Sequence, residues 1–189
     1  METLEKRKVD LRKQIKVLLK GMDPDDKSRL DHQVYQHALR HQELTNTKFV
    51  YGYMALSWET GTSELIQYFF DHGVNVAFPR VEGSEMEFYR VESMDDLESG
   101  TYRIMEPKKY CEKVDWPDAV IMVPGIAFTR DGKRLGKGGG YYDKYLEKYP
   151  GHKTVGFAYN FQLVPELPTD VHDHSVDVMI TEQDIFFCK

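Results

Sequence analysis

Cysteine is scarce in this sequence. Cys111 and Cys188 are the only two among 189 residues. They lie far apart and lack the spacing of a zinc site or a redox pair. A disulfide-stapled scaffold is excluded, and a reducing cytoplasm is the expected compartment. Long hydrophobic runs are missing too: no apolar stretch approaches the roughly 20 residues that a membrane span requires. The N-terminal METLEKRKVDLRKQIKV is basic but has no apolar core, so it does not read as a secretory signal. Internal repeats, low-complexity tracts and Pro/Ser-rich linkers are absent from the sequence. Positive charge is not in excess either. Lys and Arg total 25 against 31 Asp and Glu, a net charge of −6, which argues against a nucleic-acid partner, since that needs a basic face.

Hydrophobic residues make up 41% and aromatics 13%, enough for a packed core rather than a disordered chain. A chain of this length buries about 70% of its extended surface and needs no staple. The expectation is one domain over residues 1–189, acting as a monomer. Basic charge is concentrated near the start, at Lys6, Arg7, Lys8, Arg12, Lys13, Lys16 and Lys20. From this segment alone, a solvated helix face is favoured over a patch for a small polyanion. His172 and His174 flank Asp173, but no third ligand candidate is near, so a polar loop is favoured over a metal site.

Leu4, Leu11, Ile15, Leu18 and Met22 recur at helical spacing and predict an amphipathic helix. Asp23 and Pro24 read as N-cap and first residue of a second helix, with Leu30, Val34 and Ala38 inside. FVYGYMA (49–55) reads as a buried strand. SELIQYFFDHG follows as a helix capped by Thr62 and ended by Gly73, and VNVAFPRV as the next strand. Such a unit makes a parallel pair with a right-handed crossover. MEFYRVE alternates like an edge strand, and DAVIMVPGIAF reads as the central strand. YYDKYLEKY is a helix, and KTVGFAY, VDVMIT and DIFFC are strands. The fold class predicted is α/β, a layered domain with a mostly parallel central sheet flanked by helices. In such sheets ligands bind beyond the carboxyl ends of the strands, so the segment after DAVIMVPGIAF is the place to look.

That segment, TRDGKRLGKGGGYYDKYL (129–146), sets Gly136, Gly138, Gly139 and Gly140 among Lys133, Arg134 and Lys137. Glycine backbone can approach a ligand closely, successive N–H groups can form an anion nest, and the following helix start adds its dipole. A nucleotide polyphosphate requires these features. The spacing matches neither G-x-x-x-x-G-K-[ST] nor G-x-G-x-x-G. Asp143, in the first helical turn, is either a helix-start carboxylate or a magnesium ligand.

VPGIAFTRDGKRLGKGGGYYDKYL resembles the signature of the 5-formyltetrahydrofolate cyclo-ligases, approximately VPG-x-x-F-D-x-x-G-x-R-L-G-x-G-x-G-Y-Y-D. KVDLR, MALSWETGT, the FPR strand end and a late VDV occur in the family's order, so the resemblance spans nearly the whole chain. Thr129 departs from it, standing where many members carry Asp. The resemblance implies ATP-dependent conversion of 5-formyltetrahydrofolate to 5,10-methenyltetrahydrofolate, with release of ADP and phosphate.

By resemblance, Lys8 and Arg12 match ATP contacts, four residues apart and so on one helix face. Arg134, Leu135, Gly136, Lys137, Gly138, Gly139, Gly140, Tyr141 and Tyr142 match the second ATP segment, and Lys137 through Tyr141 overlap the folate contacts. Lys137 is the candidate for stabilising charge on the transferring phosphoryl group. Met54 and Glu59 match folate-pocket positions, as an apolar wall for the pterin and an acceptor for its polar edge. Asp143 and Asp177 match magnesium positions. A small-molecule phosphotransferase and a non-catalytic nucleotide-binding module compete with this reading. Met54 and Glu59 argue against the first, the paired aspartates against the second.

Overall fold

The computed structural model describes residues 3–100 and 104–188; Met1 and Glu2 of the basic N-terminal segment lie outside that range. Helices α1 (Leu4–Lys20), α2 (Pro24–Ala38) and α3 (Gln42–Thr45) come first. Strand β1 (Phe49–Tyr51), helix α4 (Ser63–Asp71) and strand β2 (Asn75–Glu82) make the first crossover unit. Strand β3 (Glu85–Val91) turns back along β2, and β4 (Leu97–Ser99) pairs with β5 (Met105–Pro107) as a separate ribbon. The central strand β6 (Val120–Val123) leads into a small hairpin of β7 (Ala127–Phe128) and β8 (Arg134–Leu135). Helix α5 (Tyr141–Lys148), then β9 (Thr154–Phe157), β10 (Val178–Ile180) and β11 (Ile185–Phe187) complete the order.

Among the described residues the main sheet has seven strands, ordered β11-β10-β9-β6-β1-β2-β3. The five inner strands run parallel and both edges are antiparallel. Strand β6 lies in the middle, as its apolarity predicts: a strand covered on both faces has no polar side. Val120 and Met122 point into the core under α2 and α4, beside Val34, Ile66 and Phe69. Ile121 and Val123 point into the core under α5, beside Phe128, Tyr145 and Leu146. Among the described residues no helix is long and apolar enough to cross a membrane.

Several local expectations are corrected. DAVIMVPGIAF is two strands, not one, because the chain leaves the sheet at Pro124 and re-pairs as β7 with β8. FVYGYMA is a strand only to Tyr51, and residues 53–55 run on as a loop. Thr62 precedes α4 but its hydroxyl does not cap it; it donates to the Tyr53 carbonyl (2.8 Å) and accepts from Ala55 N–H, tying that loop down. Asp23 does cap α2, accepting from the amides of Asp25 and Asp26. In α1 the buried stripe is Lys8, Ile15 and Leu19, whereas Leu4 and Leu18 are exposed. The stripe is rotated because Ile15 and Leu19 pack on Ile126, Ala127 and Leu135 of the β7–β8 hairpin. Burying each such side chain is worth about 1.5–3 kcal/mol. That docking sets the basic face of α1 against the glycine segment.

Candidate active site

A cavity of about 290 Å³ opens beyond the carboxyl ends of the inner strands. Its apolar wall is Tyr53 and Met54 from the loop after β1, Pro79 and Val81 from β2, and Met86 from β3. Pro124, the glycine segment Leu135–Gly140 and the first turn of α5 close the other side, with Lys8 and Arg12 of α1. All the nucleotide-segment residues expected from sequence line it, and so does Met54. Burial holds the Tyr53 and Tyr142 hydroxyls well above their usual range, so both stay protonated. The Tyr142 Oη is buried without a hydrogen-bond partner, as is Nε of Arg134. Buried polar atoms are normally paired, and these two belong to cavity-lining residues.

The glycine segment needs its left-handed residues. Gly138 has φ +111° and Gly140, which caps α5, has φ +66°, values that a side chain strains to adopt. From α1, Nε of Arg12 donates to the Gly136 carbonyl at 2.9 Å. Arg12 and Lys137 also line a shallower groove with Lys13, Lys16 and Lys20. Lys16 and Lys20 lie over the Trp58 ring at 5.7 and 5.6 Å from its centroid. Five cations line that groove, and burial, then the positive charges of Lys20, Arg12 and Lys137, lowers the Lys16 pKa.

Lys8 is 5% exposed and held by Asp170 (2.7 Å) and Asp173 (2.6 Å). Burial alone would lower its pKa; hydrogen bonds and charge from both aspartates outweigh that and leave it raised. Arg134 donates to Asp143 Oδ1 at 2.5 Å, an oxygen that also accepts from the amide of His174 (3.0 Å).

Asp177 corrects the sequence expectation. It precedes β10, at the opposite end of the parallel strands, and its carboxylate accepts from the amide and hydroxyl of Thr154 at the start of β9. It does not line the cavity, whereas Asp173 does, beside Asp143. Hydrogen bonds and ion pairs fall on one oxygen of each, Oδ1 of Asp143 and Oδ2 of Asp173. Two carboxylates with a spare oxygen each suit a hard cation that keeps water or phosphate as its other ligands. Sequence reasoning met Asp173 between two histidines, but those act through their backbone: His172 N–H donates to Asp170 and His174 N–H to Asp143. Among the described residues no group of three His, Cys, Asp or Glu side chains could hold a metal.

Glu59 is 5% exposed and is not a cavity-lining residue. Its Oε2 accepts from the Leu56 amide (2.9 Å), and its Oε1 faces the Lys137 ammonium at 2.6 Å. The turn that carries it is fastened from outside. Asp31 of α2 accepts from the Gly61 amide (2.6 Å) and the Tyr159 hydroxyl (2.5 Å) and pairs with Lys27. Thr60 donates to Gln162, whose amide donates in turn to the Ile126 carbonyl. Thr129, the departure from the signature, is 2% exposed and spans the β7–β8 turn: its hydroxyl donates to Asp131 and accepts from the Lys133 amide.

Glycine amides and cations on one side of the cavity, with an apolar wall on the other, suit a polyanion beside an apolar-faced substrate at the carboxyl ends of the parallel strands. The sequence model of the 5-formyltetrahydrofolate cyclo-ligase family matches residues 4–182. The 5-formyltetrahydrofolate cyclo-ligase of Saccharomyces cerevisiae is 31% identical, covering 90% of this chain and 92% of its own. That of Mus musculus is 27% identical, covering 95% and 96%. The solution structure of Aquifex aeolicus 5,10-methenyltetrahydrofolate synthetase superposes with a TM-score of 0.84 at 34% identity, covering 96% of this chain and 93% of its own. The chain belongs to the 5-formyltetrahydrofolate cyclo-ligase family.

Proposed function

We propose that this protein cyclises 5-formyltetrahydrofolate to 5,10-methenyltetrahydrofolate with ATP, releasing ADP and phosphate. The observation that carries the reading is the two-sided cavity: cations and glycine amides suited to a triphosphate face an apolar wall suited to a pterin. A formamide carbon is a poor electrophile, and ring closure requires loss of its oxygen. Transfer of the γ-phosphoryl breaks the bond to ADP and forms a bond to the formyl oxygen, leaving an iminium-like carbon. Nitrogen 10 attacks that carbon and gives up its proton, and the carbon–oxygen bond breaks as phosphate departs.

In this reading the protein supplies alignment and charge. Arg12, Lys8 and the amides of residues 136–140 hold the phosphates. Lys137 stabilises charge on the transferring group, a contribution of about 2.7–4 kcal/mol for one well-placed donor. Met54, Pro79, Val81 and Met86 exclude water around the pterin. Asp143 and Asp173 would hold a magnesium ion that neutralises phosphate charge when bound. One domain, monomeric and cytoplasmic, without membrane or nucleic-acid partners, completes the reading, in keeping with a low cysteine count and an acidic balance.

The test is absorbance. Methenyl-folate has a near-ultraviolet band that the 5-formyl compound lacks, and it should grow only with ATP, one ADP per product. ADP without that band would move the protein to the phosphotransferase class.

A further inference from the structure

A buried carboxylate faces the glycine segment from outside the cavity lining. Glu59 Oε1 is fully buried, and the charge against it is the Lys137 ammonium at 2.6 Å. That contact is ionic only: the oxygen lacks an aligned hydrogen-bond donor. Its neighbour Oε2 is fixed by the Leu56 amide, so the carboxylate is held still with one oxygen unsatisfied. Lys137 itself belongs to the glycine segment and lines both the cavity and the cationic groove. In that groove it stands with Arg12, Lys13, Lys16 and Lys20, and like charges oppose its leaving Glu59 while no anion is present.

We infer that the Lys137–Glu59 pair is a latch linking the two substrates: a bound polyphosphate draws Lys137 off Glu59, and the freed carboxylate accepts the N–H donors of the pterin edge. The inference rests on the cyclo-ligase reading and adds to it a coupling between the sites. The exchange is favourable on both sides. The ammonium trades one carboxylate for a more highly charged group, and Oε1 trades a misaligned ion for a donor in its plane. An interaction that one ligand must break, and the other has already broken, gives positive cooperativity of equal size in both directions. The latch also explains how a residue that does not line the cavity can serve the substrate.

The experiment is calorimetric titration of the purified full chain with a non-hydrolysable ATP analogue carrying a β,γ-imido bridge, with and without saturating 5-formyltetrahydrofolate, alongside the absorbance assay. Each ligand should tighten the other by the same factor, about fivefold or more. In Lys137→Met the factor should fall to about one, with folate bound without nucleotide as tightly as the native protein binds it with nucleotide. Glu59→Gln keeps the size of the side chain and should also abolish the coupling, with the analogue bound tightly from the start. Circular dichroism checks that each variant is folded, and either folded variant suffices. Normal turnover with independent binding in the native protein overturns the latch and leaves the cyclo-ligase reading intact. Coupling that survives in both variants also overturns it. A protein that neither binds the folate nor forms the methenyl band overturns both.

Discussion

Replacing Asp143 separates what that residue does for the fold from what it does for the reaction. Its Oδ1 accepts from Arg134 and from the His174 amide, with the Arg134 side chain 4% exposed and that of Asp143 20%. Asp143→Ala strands a buried guanidinium whose Nε already lacks a partner. Removing one member of a buried pair costs about 3–5 kcal/mol, and water reaching Asp143 puts this case near the lower end, about 3 kcal/mol. Asp143→Asn keeps an acceptor and removes only charge, so about 1.5 kcal/mol is expected, the lower end for a hydrogen bond to a charged group. For a chain of this size each kcal/mol is worth about 2–4 °C, so the alanine variant should melt roughly 6–12 °C lower. Urea unfolding should show a lower midpoint at unchanged slope. An alanine variant within about 1 kcal/mol of native would show that the pair is screened and contributes little. Activity then tests the metal role. The asparagine variant, still folded, should lose activity and partly regain it at high magnesium; a magnesium titration overlaying that of the native protein would remove Asp143 from the metal site.

Arg12→Ala should raise the ATP KM about tenfold to over a hundredfold while the fold survives, since one charged hydrogen bond is worth about 1.5–3 kcal/mol; an unchanged KM would return the α1 cations to the role of a solvated face. Asp31→Ala should loosen the turn that carries Glu59, raising the folate KM more than it changes the ATP KM; equal changes in both would mean a general loss of structure instead. Lys8 has a raised pKa in the folded protein, so its stabilisation is complete below the unfolded value of about 10.5 and is lost as pH rises through the folded value. Asp170, whose pKa is lowered by its bond to Lys8, loses its share only on acidification, below its ordinary 3.8. The stability difference between native and Lys8→Met should therefore stay flat through neutral pH and shrink only in strong alkali or acid; shrinkage near neutrality would contradict the pairing.

Local chemistry was legible in the sequence because it acts over a few residues. Asp23 and Pro24 open α2 as capping rules require. The apolar run around Val120–Val123 marks the central strand, since such a strand must satisfy two cores at once. The glycine and lysine spacing marks the segment ahead of α5 as suited to an anion, and topology then directs attention to the carboxyl ends of the strands. Contacts across long separations were not legible. Lys8 meets Asp170 and Asp173 across 162 and 165 residues, and no period or spacing records that. The rotation of α1 that buries Leu19 rather than Leu18 depends on the hairpin it packs against. The same limit explains Asp177 and Asp173. Four residues apart in a strand approach, they look equivalent in sequence, but the run of β10 puts one against Thr154 and the other in the cavity. Sequence alone determined most of the elements and the glycine segment, because propensity and backbone freedom are properties of neighbours along the chain. Only the tertiary structure decided which charges face one another, including Lys137 over Glu59, because electrostatic partners are chosen by distance in space.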